Sequence, residues 1–221
     1  QENFANAEGA IIELVKNSYD ADSSVSLVIV NPLMDSLLIF DNGEGMTEQI
    51  IRKHWMTIGT DDKKINVRSK KDRVKTGAKG IGRFALDRLG KKCRMLTKTE
   101  YSDCLFWDVD WSQFENKDAV ISDIKAHMHS QPDFWMPHEV LRVLKSFDLP
   151  SSIVDYWKEN TGTLIEINEL KDEWDEKAIE SLYSNLEILV PPLETNIFTV
   201  FLYSTEAPEK YGQIQSAMCD D

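Results

Sequence analysis

From about Asn6 to Tyr19 the apolar residues Ala7, Ala10, Ile11, Leu14, Val15 and Tyr19 recur every three or four positions, which predicts an amphipathic helix. Two strand-like runs follow at once, Val25 to Val30 and Ser36 to Phe40, with Asn31-Pro32 as the turn between them. The chain therefore opens as helix, strand, strand. On the helix, Glu13, Asn17 and Asp20 fall at i, i+4 and i+7, so one face carries all three polar groups. A carboxylate and a carboxamide so placed can act as a general base for water and as an oxygen ligand for a hard cation such as Mg²⁺. The same pattern is also what an ordinary solvated helix face presents. Ala21 favours the first reading, because a small residue closing the helix leaves room for a ligand.

The second strand run ends in Asp41-Asn42-Gly43-Glu44-Gly45-Met46. Asn-Gly between apolar segments is a strong hairpin signal, and a plain turn is one reading of it. A hairpin needs a second strand directly afterwards, whereas Thr47-Glu48-Gln49 opens a capped helix, Thr47 to Trp55. Strand, glycine bend and helix suit a ligand site better.

Between Lys63 and Lys79 stand eight basic residues (Lys63, Lys64, Arg68, Lys70, Lys71, Arg73, Lys75, Lys79) against one acid, Asp72, a local balance of +7. The whole chain carries −13, so the remainder carries −20. A basic island in an acidic protein suggests contact with a polyanion, although a solvated loop has the same composition. Its end, Gly77-Ala78-Lys79-Gly80-Ile81-Gly82, leads into a predicted helix, Ile81 to Leu89, closed by Gly90 and Lys91-Lys92. Gly80 to Ala85 also fits the G-x-G-x-x-A pattern of dinucleotide folds, but that reading requires a buried strand before the first glycine, and Val74 to Lys79 is polar and basic. Backbone N–H groups of a glycine loop and a helix N-terminus facing phosphate fit instead.

Further along, Lys92 to Thr99, Cys104 to Trp111, Gly162 to Ile167 and Asn196 to Tyr203 read as strands, and Asp175 to Leu189 as a helix before Pro191-Pro192. In the second of these strands Leu105, Trp107, Val109 and Trp111 share one face. Residues 112–160 are long for a connection and are expected to contain small helices near Pro137 to Lys145 and Ser151 to Lys158.

Glu13 to Ala21, Asp41 to Met46 and Gly77 to Gly82, in this order, resemble the ATP site of the GHKL superfamily: gyrase B, the ninety-kilodalton heat-shock chaperone, sensor histidine kinases, MutL and the MORC-like ATPases. The resemblance covers about residues 5–100 strongly and 162–203 weakly. It implies the Bergerat fold, a two-layer α/β (α+β) sandwich of mostly antiparallel mixed sheet with helices on one face, as a single ATP-binding domain with a basic lid at 59–82 and an insertion at 112–160. By the same resemblance Glu13 activates water, Asn17 holds Mg²⁺ against the phosphates, and Asp20 and Ala21 shape the nucleoside end. Asp41 accepts a hydrogen bond from the adenine amino group, Gly43 and Gly45 let the backbone approach, and Met46 packs on the base. Gly77, Ala78, Lys79, Gly80, Ile81 and Gly82 take the phosphates, and Thr163 reaches the adenine through water. An acceptor-only carboxylate at Asp41 would reject guanine, which presents a carbonyl at that edge. Asp20 stands where the kinases usually carry asparagine, which points to the chaperone, MutL and MORC-like branch, and no phosphoacceptor histidine helix is present.

The implied activity is Mg²⁺-dependent ATP binding with slow hydrolysis, lid closure and dimerisation. Its alternatives are a nucleotide switch with negligible turnover and a nucleic-acid-binding module using the basic run. The acidic remainder opposes a broad DNA footprint. At 221 residues and 42% hydrophobic the chain can bury one substantial core. Cys93, Cys104 and Cys219 lack zinc spacing, and His127 and His129 have no third ligand nearby in a motif. No membrane span or secretory signal is legible, so a cytoplasmic location, or a nuclear one in a eukaryote, is the expectation. Gln1, so close to the first motif, suggests a piece of a longer protein whose downstream domains are partners.

Overall fold

The computed structural model describes residues 2–54, 82–114, 127–190 and 197–215. Helix α1 (Glu2–Asp20) contains the predicted amphipathic stretch and extends it at both ends. It stops in a Schellman arrangement, in which Ser23 N–H bonds Ser18 O, Asp22 N–H bonds Tyr19 O, and Asp22 takes the left-handed conformation at φ +61°. Strands β1 (Val25–Asn31) and β2 (Ser36–Asp41) then pair antiparallel, as their apolar runs predict.

Helix α2 (Glu48–His54) begins where Thr47 caps it, its hydroxyl accepting from Ile50 N–H at 3.3 Å. Helix α3 (Gly82–Leu89) leads directly into β3 (Gly90–Lys98). Gly90 is thus the first residue of a strand and not a helix-closing residue of a loop. A Cβ there would stand 2.5 Å from the Ile167 side chain and 2.7 Å from Asn168 O. The order continues with β4 (Cys104–Asp110), a short 3₁₀ turn (Trp111–Phe114), β5 (His127–Gln131), α4 (Met136–Ser146), a 3₁₀ stretch (Ser151–Tyr156), β6 (Gly162–Leu170), α5 (Glu176–Leu189), β7 (Thr199–Ser204) and the short β8 (Gly212–Gln213). Asp175 caps α5 by accepting from Ala178 N–H at 2.8 Å.

The strands form one sheet in the order β5-β4-β3-β6-β2-β1-β7-β8. Among the described strands only the β1–β7 pair is parallel, so the sheet is mixed and mostly antiparallel. Side chains alternate between its faces. On one face Val28, Val30, Leu37, Ile39, Met95, Ile165 and Ile167 meet the apolar stripes of α1, α3 and α5, including Ile11, Leu14, Leu86 and Leu182. This is the expected Bergerat sandwich.

The opposite face is not left to solvent throughout. Met136, Val140, Val143 and Leu144 of α4, with Ile153 and Trp157, cover Leu27, Ile29, Leu38, Phe40, Phe106 and Leu164. Part of the 112–160 segment therefore forms a partial third layer. All seven residues of β1 are buried, as cover on both faces requires. Among the described residues no helix is long and apolar enough to cross a membrane.

Candidate functional site

Rows of paired side chains run across the sheet on the face that α1 covers. Ile39 stands opposite Ile165, which stands opposite Met95, and all three are core. One row further along, the pairing brings Ser26, Asp41, Thr163 and Thr97 side by side on β1, β2, β6 and β3. All four are buried. Burying a row of polar groups costs free energy unless each finds a partner.

Each of them does. Thr97 Oγ1 and Thr163 Oγ1 lie 2.9 Å apart, and Met46 N–H donates to Thr97 Oγ1 at 2.8 Å. Ser26 donates to Ser18 Oγ at 3.4 Å. Asp41 Oδ1 accepts from Gly43 N–H at 2.9 Å, closing a tight turn on itself. Burial pushes the Asp41 carboxyl up to about 6, against the opposing pull of hydrogen bonds from Gly43 N–H, the Ser23 and Ser18 hydroxyls and Thr163 N–H. Ser18 also lies 3.3 Å from Leu14 O, and its single proton can serve only one acceptor at a time. The hydroxyls can rotate away, so the carboxylate can exchange one of them for an N–H brought by a ligand.

The glycines of this turn are dictated by the protein around them. A Cβ on Gly43 would fall 2.6 Å from Ser23 Oγ and 2.7 Å from Ala21 O, and Glu44 N–H bonds Ala21 O at 2.9 Å. The C-terminal end of α1 is thereby docked onto the turn. Gly45, at φ +70°, would place a Cβ 2.3 Å from Lys98 O, so only glycine lets the chain pass over the end of β3. Met46 follows half-buried against the main core. Asn42 is occupied structurally: its Oδ1 accepts from Ser24 N–H at 2.8 Å and Val25 N–H at 3.2 Å, and its Nδ2 donates to Ser24 Oγ and to Tyr156 O.

Asp41, Gly43, Gly45, Met46, Thr163 and Ala21 thus come together at one end of the sheet. Asp20 is buried at the end of α1, whereas Asn17 and Glu13 are half-buried about one and two turns further back. Seven residues of helix rise put Glu13 about 10 Å along the axis from Asp20. Gly77, Ala78, Lys79, Gly80 and Ile81, with the rest of the basic run, lie outside the described residues, and Gly82 is the first residue of α3. That helix is held at its far end, where Arg88 pairs with Asp172 at 2.7 Å and Lys171 N–H bonds Leu89 O. His129 is exposed and stacks on Phe106 with ring centroids 4.9 Å apart.

Ser18, Ser23, Ser26 and Thr97 are absent from the sequence reading. Their one signal was a polar residue at an inward position of an otherwise apolar strand or helix.

The arrangement is that of a helix laid over a buried carboxylate at a sheet end, and the sequence agrees with it. Residues 5–139 match the family model described as Histidine kinase-, DNA gyrase B-, and HSP90-like ATPase. The chain belongs to this family. The match runs from within α1 to the first residues of α4 and includes the three stretches Glu13 to Ala21, Asp41 to Met46 and Gly77 to Gly82. ATP binding is the property that the GHKL family carries. No curated protein sequence matches the chain as a relative.

Proposed function

We propose that this GHKL domain binds Mg²⁺-ATP and hydrolyses it slowly, and that nucleotide closes the basic lid and promotes dimerisation within a larger protein. Its resemblance is to the chaperone, MutL and MORC-like branch. The observation that carries the adenine end is Asp41, a buried carboxylate in a fully paired polar row beneath α1. It accepts from the adenine amino group, with Thr163 and Thr97 beside it, and Asp20 and Ala21 bound the nucleoside. An ionised carboxylate has no proton to offer guanine's carbonyl, so the site selects adenine.

Glu13 sits two turns up the same helix, toward the phosphate end, and orients the attacking water. Gly77 to Gly82 supply backbone N–H groups to the phosphates, and Lys79 offsets their charge. Among the described residues no cluster of three or more His, Cys, Asp or Glu could hold a metal ion. A lone carboxamide, Asn17, fits Mg²⁺ that arrives with the triphosphate, since this ion keeps several waters and takes few protein ligands. Bound there, Mg²⁺ would neutralise charge on the phosphate oxygens.

Glu13→Ala separates turnover from switching. It is expected to keep ATP affinity within about twofold and to lower the hydrolysis rate at least 100-fold, the scale of a lost general base. Unchanged phosphate release from a binding-competent variant would remove Glu13 from the chemistry and favour a nucleotide switch.

A further inference from the structure

The polar row accounts for the Asp41 side chain, but the Asp41 backbone carbonyl is held from the other side of the sheet. Trp157 Nε1–H donates to Asp41 O at 3.2 Å, and its ring meets Phe40 edge-on with centroids 6.3 Å apart. Trp157 is buried at the end of the 3₁₀ stretch in the 112–160 segment. The same stretch is fastened a second time, by Asn42 Nδ2–H donating to Tyr156 O at 2.9 Å. Gly162 completes the brace. At φ +137° it runs so close that a Cβ would stand 2.1 Å from Asp41 O, and Asn160 ties the start of α4 to this bend by accepting from Met136 N–H at 2.7 Å.

The last rung between β2 and β6 is consequently unusual. The Asp41 carbonyl there receives the indole N–H of the third layer, while the Asp41 carboxylate accepts from Gly43 N–H on the other side. A backbone carbonyl buried at a strand end must be paired, and whichever group pairs it sets the direction in which the residue's side chain leaves the sheet.

We infer that Trp157 is a positioning residue for nucleotide recognition, and that the third layer is a brace which fixes the aim of the Asp41 carboxylate through its backbone. The inference rests on the adenine role proposed for Asp41, but the brace itself is a property of the nucleotide-free protein. It predicts that a change in the third layer is read on the opposite face of the sheet as a change in base selectivity.

Trp157→Phe keeps an apolar ring against Phe40 and removes the N–H. Two readouts separate positioning from plain stability. The first is the titration of the Asp41 carboxyl carbon by NMR without nucleotide, expected to move downward from the wild-type midpoint as the loosened turn admits water. The second is calorimetry with ATP and GTP, expected to show ATP binding about fivefold weaker or more, the worth of one hydrogen bond, with a smaller ATP preference. Trp135→Phe, an exposed tryptophan of the same segment, should change neither. If Trp157→Phe does not fold, Asn42→Ala loses the donor to Tyr156 O without adding a charge beside Asp41, and should move both readouts the same way.

A lower melting temperature with an unmoved titration and unmoved nucleotide affinities would overturn the inference and leave Trp157 a core residue. A moved titration in a protein that binds no ATP would sustain the brace and defeat the nucleotide reading instead.

Discussion

Asp41 is the residue at which stability and the proposed adenine role oppose each other. Its carboxyl is raised toward about 6 by burial, so the folded protein holds this proton to higher pH than the unfolded chain does. The stability so gained is complete below the unfolded value of 3.8 and is lost as pH rises through about 6, above which a buried anion is maintained at a cost. Asp41→Asn removes that cost while an amide oxygen still accepts from Gly43 N–H. The variant should be more stable than wild type at pH 8, by on the order of 2–3 kcal/mol, with the gap closing toward pH 4. Denaturant melts at the two pH values test this, and a gap of constant size would contradict it. ATP affinity should run the other way in wild type, weakening as pH falls below about 6, because the protonated acid no longer offers an acceptor-only edge. Asp41 itself was legible from its place before Asn-Gly at a strand end. Its neighbours Ser26 and Thr97 were not, since serine and threonine are unremarkable in strands until the register sets them in one row with a carboxylate.

At the scale of elements, the site depends on how closely α1, the 41–46 turn and β3 can approach. Gly45→Ala would force a Cβ to 2.3 Å from Lys98 O at a positive φ, with no side chain able to yield. A loss of at least about 1–3 kcal/mol is expected, together with weaker ATP binding, because Met46 N–H would leave Thr97. A thermal melt that matches wild type would contradict the geometry. A second dependence lies between α1 and α5, where buried Glu8 accepts a hydrogen bond from Asn185. Asn185→Ala should cost about 1–3 kcal/mol by stranding a buried acceptor, whereas Glu8→Gln should cost less. Most elements followed from periodicity, with boundaries displaced by a residue or two. The junction at Gly90 did not, because a glycine after a helix reads as a stop signal whether a loop or a strand follows. Nor did β5, whose alternating His127-Met128-His129 has little apolar content and owes its conformation to pairing with β4.

In the whole molecule, α1 and β2 meet at a buried carboxylate that is supported from both faces of one sheet. The cover on the second face was not read from the sequence, which pointed to helices on one face, and no sequence pattern tied Trp157 to Asp41, which lies 116 positions away. Contacts of that separation are set by topology and not by local pattern. On the proposed reading, adenine recognition belongs to the end of α1 and hydrolysis to Glu13 further back along it, so the two should be separable by mutation. The most direct test is calorimetric titration of the wild-type protein and Asp41→Asn with ATP, ADP and GTP in the presence of Mg²⁺. Wild type is predicted to bind both adenine nucleotides and to reject GTP, and Asp41→Asn, though better folded at pH 8, to lose that binding. ATP binding of equal strength in the two proteins would contradict the assignment of Asp41 to adenine.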